Sequence, residues 1–119
     1  MQLINKTVII SGDSKKCQGN FKNRIDFKAI KKRLKDGNKR YVKDKPLQPN
    51  QSKERRECTE KNNQKPFAIV LSCADSRVPP ELIFDTGIGD LFVWRVAGNI
   101  ADTYNIVNIE FTIKVLKCQ

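Results

Sequence analysis

Phe67-Ala68-Ile69-Val70-Leu71-Ser72-Cys73-Ala74-Asp75-Ser76-Arg77 is the stretch that decides the fold. Its first five residues are apolar without interruption, and that pattern predicts a strand buried on both faces, as in a parallel sheet. Such a strand needs helices above and below it, so the flanking sequence has to supply them. The strand then delivers Cys73, Asp75 and Arg77, at alternate positions, to the carboxyl edge of the sheet, where α/β proteins keep their ligand crevices.

Downstream, Pro79-Pro80-Glu81 suits a helix N-terminus, because proline in the first turn loses no useful donor and glutamate favours the positive end of the helix dipole. A short helix through Phe84 is expected. Gly87-Ile88-Gly89-Asp90 predicts a turn, and Leu91-Phe92-Val93-Trp94-Arg95-Val96 a second strand ending at Gly98-Asn99. Ile106, Ile109, Ile113 and Leu116 mark one apolar face of a helix over roughly 103–117. From residue 67 onward the order strand, helix, strand, helix implies an α/β layer with right-handed crossovers. Two parallel strands bury little by themselves, so this segment is expected to need further strands or a partner chain.

Upstream, Asp26 is a plausible N-cap for a helix whose apolar residues Phe27, Ile30, Leu34 and Tyr41 share one face. The outer face is rich in lysine. Gly37-Asn38 is expected to break or kink this helix, and Pro46 and Pro49 bound a loop that runs into the polar stretch 50–66, with a short helix at 52–60. Residues 1–25 are polar and mixed, and predict a loosely ordered arm. The expected organisation is therefore an arm over 1–25 and an α/β domain over 26–119.

The 119 residues, 39% of them hydrophobic, suffice for one domain of modest core. Charge is uneven: residues 1–66 hold 19 Lys and Arg against 7 Asp and Glu, while residues 67–119 hold 4 against 6. A basic arm can bind nucleic acid, but these residues lack interleaved aromatic stacking platforms, so a solvated helix face is the expected reading and nucleic-acid binding is not expected. Val8-Ile9-Ile10 is too short for a signal h-region, and nothing approaches a membrane span. With Cys17, Cys58, Cys73 and Cys118 showing no C-x-x-C spacing, reduced thiols and a cytoplasmic location are expected. The sequence contains no histidine, which removes the commonest metal ligand and the usual proton shuttle near neutral pH.

On chemistry alone, a thiolate at the strand end can bind zinc. Asp75 can ligate the metal or accept a hydrogen bond from water on it, and Arg77 can hold the carboxylate in a bidentate pair. A buried cysteine followed by a structural Asp/Arg pair satisfies the same pattern.

The wider segment separates these readings. Ser72-Cys73-Ala74-Asp75-Ser76-Arg77-Val78-Pro79-Pro80-Glu81, then Asp85, Gly87, Gly89-Asp90-Leu91-Phe92-Val93 and Arg95-Val96-Ala97-Gly98-Asn99, closely resembles the bacterial β-class carbonic anhydrases. So does Arg33-Leu34-Lys35-Asp36-Gly37-Asn38-Lys39-Arg40-Tyr41 upstream, and the resemblance covers about residues 26–116. It implies a zinc enzyme of the α/β parallel-sheet type that reversibly hydrates carbon dioxide to bicarbonate and a proton. Zinc would be held by Cys73 and by a histidine and second cysteine from a later H-x-x-C, with water or Asp75 in the fourth position. Asp75 and Arg77 match the catalytic dyad, Gln64 a glutamine that meets substrate in the neighbouring subunit, and Phe92 and Ala97 apolar wall positions. Each of the last three also has a plain reading, as a loop polar group or as strand core. A homo-oligomer is implied as well.

The H-x-x-C of that pattern has no counterpart before the sequence closes on Lys117-Cys118-Gln119. The expectation is a truncated domain, inactive alone, with zinc weakly held by Cys73 and Asp75. Cys118 has no histidine three residues before it and is not expected to be a ligand, and Cys17 and Cys58 are expected to be ordinary free thiols. The alternative is a non-catalytic remnant that pairs with an intact subunit through its basic helix.

Overall fold

The computed structural model describes residues 9–11 and 27–116. In chain order they form β1 (Ile9–Ser11), α1 (Phe27–Val42), α2 (Lys53–Asn62), β2 (Ala68–Ser72), α3 (Pro80–Ile83), β3 (Leu91–Arg95) and α4 (Thr103–Leu116), with a 3-10 turn at Ala97–Asn99 after β3. The expected alternation of strands and helices is present, with a small parallel pair and an N-terminal helix. The sheet has the order β1-β2-β3. β2 and β3 run parallel, from Ala68 beside Leu91 to Ser72 beside Arg95. β1 adds a third, antiparallel strand, with Ile9 beside Val70 and Ser11 beside Ala68. The sequence reading placed no strand there, because three apolar residues in polar surroundings carry too little periodicity to separate a strand from a loop. The remainder of the expected arm and the Asp26 cap lie outside the described residues.

All five residues of β2 are buried. Alternation across the pleat sends Ala68 and Val70 to one face, where they join Phe67, Leu91, Phe84 and, from α1, Ile30 and Leu34 in one core. Each Val, Leu, Ile or Phe side chain buried there contributes about 1.5–3 kcal/mol.

Helix α1 buries Ile30, Leu34 and Gly37, spaced i, i+4 and i+7. The expected break at Gly37-Asn38 does not occur, and the helix runs on to Val42. The glycine serves a close crossing: a Cβ on Gly37 would lie 1.8 Å from the Phe84 carbonyl oxygen. Asn38 reinforces the crossing by donating its side-chain amide to the Ile83 carbonyl at 3.2 Å. Phe27 and Tyr41, expected on the inner face, are exposed.

The polar connector is tied down by two buried carboxylates. Asp90 is fully buried and accepts from the Asn50 side chain at 2.9 and 3.0 Å and from the Gly87 amide at 2.9 Å. Arg33 and Arg55 approach it to 3.3 and 3.6 Å. Asp85 accepts from Arg40 Nε at 2.5 Å and from the Leu47 and Gln48 amides at 3.0 and 2.9 Å. Helix α2 starts three residues after Asn50, its first turn capped by the Ser52 hydroxyl accepting from the Arg55 amide at 3.2 Å. The Phe67 amide then donates to the Asp90 carbonyl at 2.9 Å, so this network fixes the strand ends remote from Cys73.

Two expectations are corrected. In α4, Asn105 and Thr112 are buried, Ile109 and Ile113 of the expected face are half-buried, and Ile106 of that face is exposed. The two buried polar side chains are satisfied locally, which makes their burial tolerable: Thr112 Oγ1 donates to the Asn108 carbonyl and Asn105 Nδ2 to the Ile100 carbonyl. Cys58, expected to be a free thiol, is disulfide-bonded. Cys17 and Cys118 lie outside the described residues. Among the described residues no helix is long and apolar enough to cross a membrane.

Candidate functional site

The parallel ladder continues just past the two strands. The Val96 amide donates to the Ser72 carbonyl at 3.0 Å and the Ala74 amide to the Val96 carbonyl at 3.3 Å, which holds Cys73 beside the turn that follows β3. That turn depends on left-handed backbone at Gly98 and Asn99, with φ of 71° and 57°. Glycine takes this conformation freely and asparagine tolerates it. The bend brings the Gly98 amide towards the Cys73 thiol.

Cys73 is half-buried. Its thiol is held below the ordinary cysteine range by the Asp75 amide first and the Gly98 amide next, with a smaller contribution from Ala74, against the opposing effects of burial and the Asp75 charge. Backbone N–H groups aimed at sulfur favour the thiolate, which is the form that binds metal or attacks electrophiles.

Asp75 faces Arg77 in a two-point pair. Arg77 Nε lies 3.0 Å from Oδ1 and Nη2 lies 2.6 Å from Oδ2. The Arg77 amide also donates to Oδ1 at 2.9 Å, closing an Asx-type turn. The Arg77 side chain, then its amide, hold the Asp75 carboxyl well below the usual carboxylate range. Asp75 is thus an ionised acceptor with a fixed direction.

Arg95 completes the arrangement from β3. Its Nε donates to the Cys73 carbonyl at 2.9 Å and its Nη2 to the Asp75 carbonyl. By its sequence Arg95 reads as the end of a strand. Its register opposite Ser72 was the available signal, since the last residue of a parallel neighbour stands beside the loop leaving the adjacent strand.

Of the other expected site residues, Ala97 is exposed in the turn beside Gly98 and lies at this edge. Phe92 is half-buried and pairs with Ile69, within the sheet. Gln64 is exposed in the connector before β2, at the end opposite Cys73. A five-residue strand is about 17 Å long, so Gln64 and Cys73 of one chain do not share a site.

Zinc fits this arrangement in part. Cys73 is a ready thiolate donor, whereas both oxygens of Asp75 are engaged by Arg77. Zinc sites use three or four protein ligands, and among the described residues no three His, Cys, Asp or Glu side chains group together. The residues on hand are one side of a metal site and do not make a whole one.

Residues 68–119 match the family model described as Carbonic anhydrase. The chain is 48% identical over 89 residues to a carbonic anhydrase of Mycolicibacterium smegmatis, a match covering 75% of this chain and 43% of that one. It is 46% identical over 88 residues to carbonic anhydrase 2 of Mycobacterium tuberculosis, covering 74% and 42%. A shorter match, 45% identical over 40 residues, joins it to beta carbonic anhydrase 1 of Caenorhabditis elegans, covering 34% and 15%. The matched region spans somewhat less than half the length of the first two relatives.

Proposed function

Because the chain belongs to the β-class carbonic anhydrase family, we propose that it carries one side of a zinc site for the reversible hydration of carbon dioxide to bicarbonate and a proton. The observation that carries the reading is the placement of the Cys73 thiol, cradled by backbone amides, next to an aspartate held by its own arginine.

In this reading Cys73 is one thiolate ligand. When bound, zinc supplies a Lewis acid that lowers the pKa of a coordinated water to about 7. Asp75, ionised and with both oxygens oriented by Arg77, accepts a hydrogen bond and keeps out of the ligand set. Arg77 decides between those two roles, since without it the carboxylate is free to turn towards a cation. Ala97 forms part of the apolar wall at this edge. Gln64, at the far end of β2, serves the site of a neighbouring subunit, which makes the working unit an oligomer.

Among the described residues, a single cysteine and an engaged aspartate would hold zinc only weakly, so the 119-residue polypeptide by itself is expected to be inactive. Metal analysis with stopped-flow hydration tests this on two proteins. One is the 119-residue polypeptide. The other is a fusion in which residues 1–116 run on into the C-terminal part of the M. smegmatis relative. The fusion should hold about one zinc and hydrate carbon dioxide, and the shorter polypeptide should do neither. A folded, zinc-loaded fusion without hydration activity would overturn the reading.

A further inference from the structure

We propose that Arg95 is a positioning residue for this site: from the end of β3 its guanidinium holds the carbonyl oxygens of Cys73 and Asp75 together, and so sets the path of the backbone that presents the thiol and the carboxylate. The functional meaning rests on the carbonic anhydrase reading. The structural half stands on the geometry alone.

The argument begins with where the sheet stops. Ser72 beside Arg95 is the last paired position of β2 and β3. The ladder adds two further bonds, from Val96 to Ser72 and from Ala74 to Val96, and then ends. Cys73 sits at the last of these bonds, and Asp75, Ser76 and Arg77 lie beyond them and are mostly exposed. Something has to restrain them if the thiol and the carboxylate are to keep one relative geometry, because reactive groups must be held within a fraction of an ångström to be useful.

The short turn supplies some restraint, through the Val78 amide on the Asp75 carbonyl at 3.2 Å and the Arg77 amide on Asp75 Oδ1 at 2.9 Å. Both bonds lie within the turn, so they fix its shape but not its orientation on the sheet. Arg95 ties it to the sheet. Nε holds the Cys73 carbonyl at 2.9 Å and Nη2 holds the Asp75 carbonyl, so two alternate peptide planes are fixed by one planar group. A guanidinium does this because its donors form a rigid fork, whereas a lysine ammonium is a point donor on a flexible stem. Asp75 is consequently gripped from both sides: its carbonyl by Arg95 and its carboxylate by Arg77.

Residue-resolved amide exchange on the 119-residue chain, compared with Arg95→Ala and Arg95→Lys, tests the proposal. In Arg95→Ala, the amides of Ala74, Arg77 and Val78 should exchange at least tenfold faster, while those of Ile69, Val70 and Leu71 stay within twofold. Arg95→Lys keeps the charge and the stem, and should restore less than half of the lost protection. Unchanged protection at 74–78 in the alanine variant would overturn the proposal, as would full rescue by lysine, which would show that charge alone suffices. If the alanine variant loses protection throughout the sheet, the lysine variant decides by the same two criteria. Neither readout involves zinc or carbon dioxide. In the fusion described above, Arg95→Lys should retain its zinc and lose at least fivefold in kcat with KM changed less. An inactive parent fusion with a loosened loop would sink the enzymatic reading and leave the positioning role intact. An active fusion with an unmoved loop would do the reverse.

Discussion

Arg77 meets Asp75 edge to edge, with Nε 3.0 Å from one carboxylate oxygen and Nη2 2.6 Å from the other. The Arg77 side chain is largely exposed, so the pair is kept by its geometry rather than by burial. Exposed ion pairs add little to stability unless they are bidentate and locally fixed. What this one controls is the direction and ionisation of Asp75.

Arg77→Ala should therefore leave folding nearly unchanged and raise the Asp75 carboxyl towards the ordinary aspartate value of about 3.9. The side-chain carboxyl carbon followed by NMR through a pH titration reads this directly. A midpoint that stays depressed in the variant would mean that the backbone amides alone hold the charge. In the zinc-loaded fusion, the same variant should keep its metal and lose hydration activity, because a released Asp75 can turn onto the cation.

Cys73 should react as a thiolate at lower pH than an unperturbed cysteine, whose pKa is about 8.5. The Asp75 and Gly98 amides depress its pKa, so the thiolate is present above the lowered value and is lost as pH falls through it. Alkylation rate against pH should show its midpoint below that of a model thiol. Gly98→Ala, which strains the left-handed turn, should move the midpoint back up. An identical profile in both proteins would remove the turn from the account of the thiol.

Gly37→Ala reverses a common rule. In an exposed helix interior, alanine is favoured over glycine by about 1 kcal/mol. Here the added methyl would stand 1.8 Å from the Phe84 carbonyl oxygen, so α1 and the α3 end must separate. Overpacking of this kind costs about 1–3 kcal/mol or more, and the net change should be destabilising. The urea midpoint should fall. A higher midpoint would show that the crossing is looser than described.

How much of this was legible in the sequence follows from which interactions are local. The run 67–71 announced a buried strand because both faces of β2 are covered, and the motif residues follow it at fixed spacing. Gly37 was misjudged because helix propensity carries no information about a carbonyl arriving from residue 84. In α4 the apolar period marked Ile106 along with Ile109 and Ile113, but Ile106 is exposed and the other two are half-buried, because Asn105 and Thr112, with their own hydrogen bonds satisfied, take the innermost positions. Arg95 could not be assigned without the β2 to β3 register. Asn50, Arg55, Asp85 and Asp90 lie far apart in sequence, and only the folded chain shows them as two carboxylate knots.

The Asp85 knot gives the last prediction, a pH dependence. Burial raises the pKa of this carboxyl, but the Leu47 amide, Arg40 and the Gln48 amide together outweigh it and leave the value below the ordinary range. A folded-state pKa below the unfolded value of about 3.9 means that the stabilisation is fully present above that pH, and is lost as pH falls through the folded value. Asp85→Asn keeps the shape but removes the charge facing Arg40, and one of its amide hydrogens must face a backbone donor. At pH 7 this should cost about 1–3 kcal/mol, the scale for charged hydrogen bonds on a partly exposed arginine. Because the wild-type advantage depends on an ionised carboxylate, the gap between the two proteins should narrow as pH is lowered from 4 towards 2. Urea unfolding of both proteins at a series of pH values measures it. A gap that stayed constant down to pH 2 would show that the loss comes from packing, and that the Asp85 charge does not hold the connector.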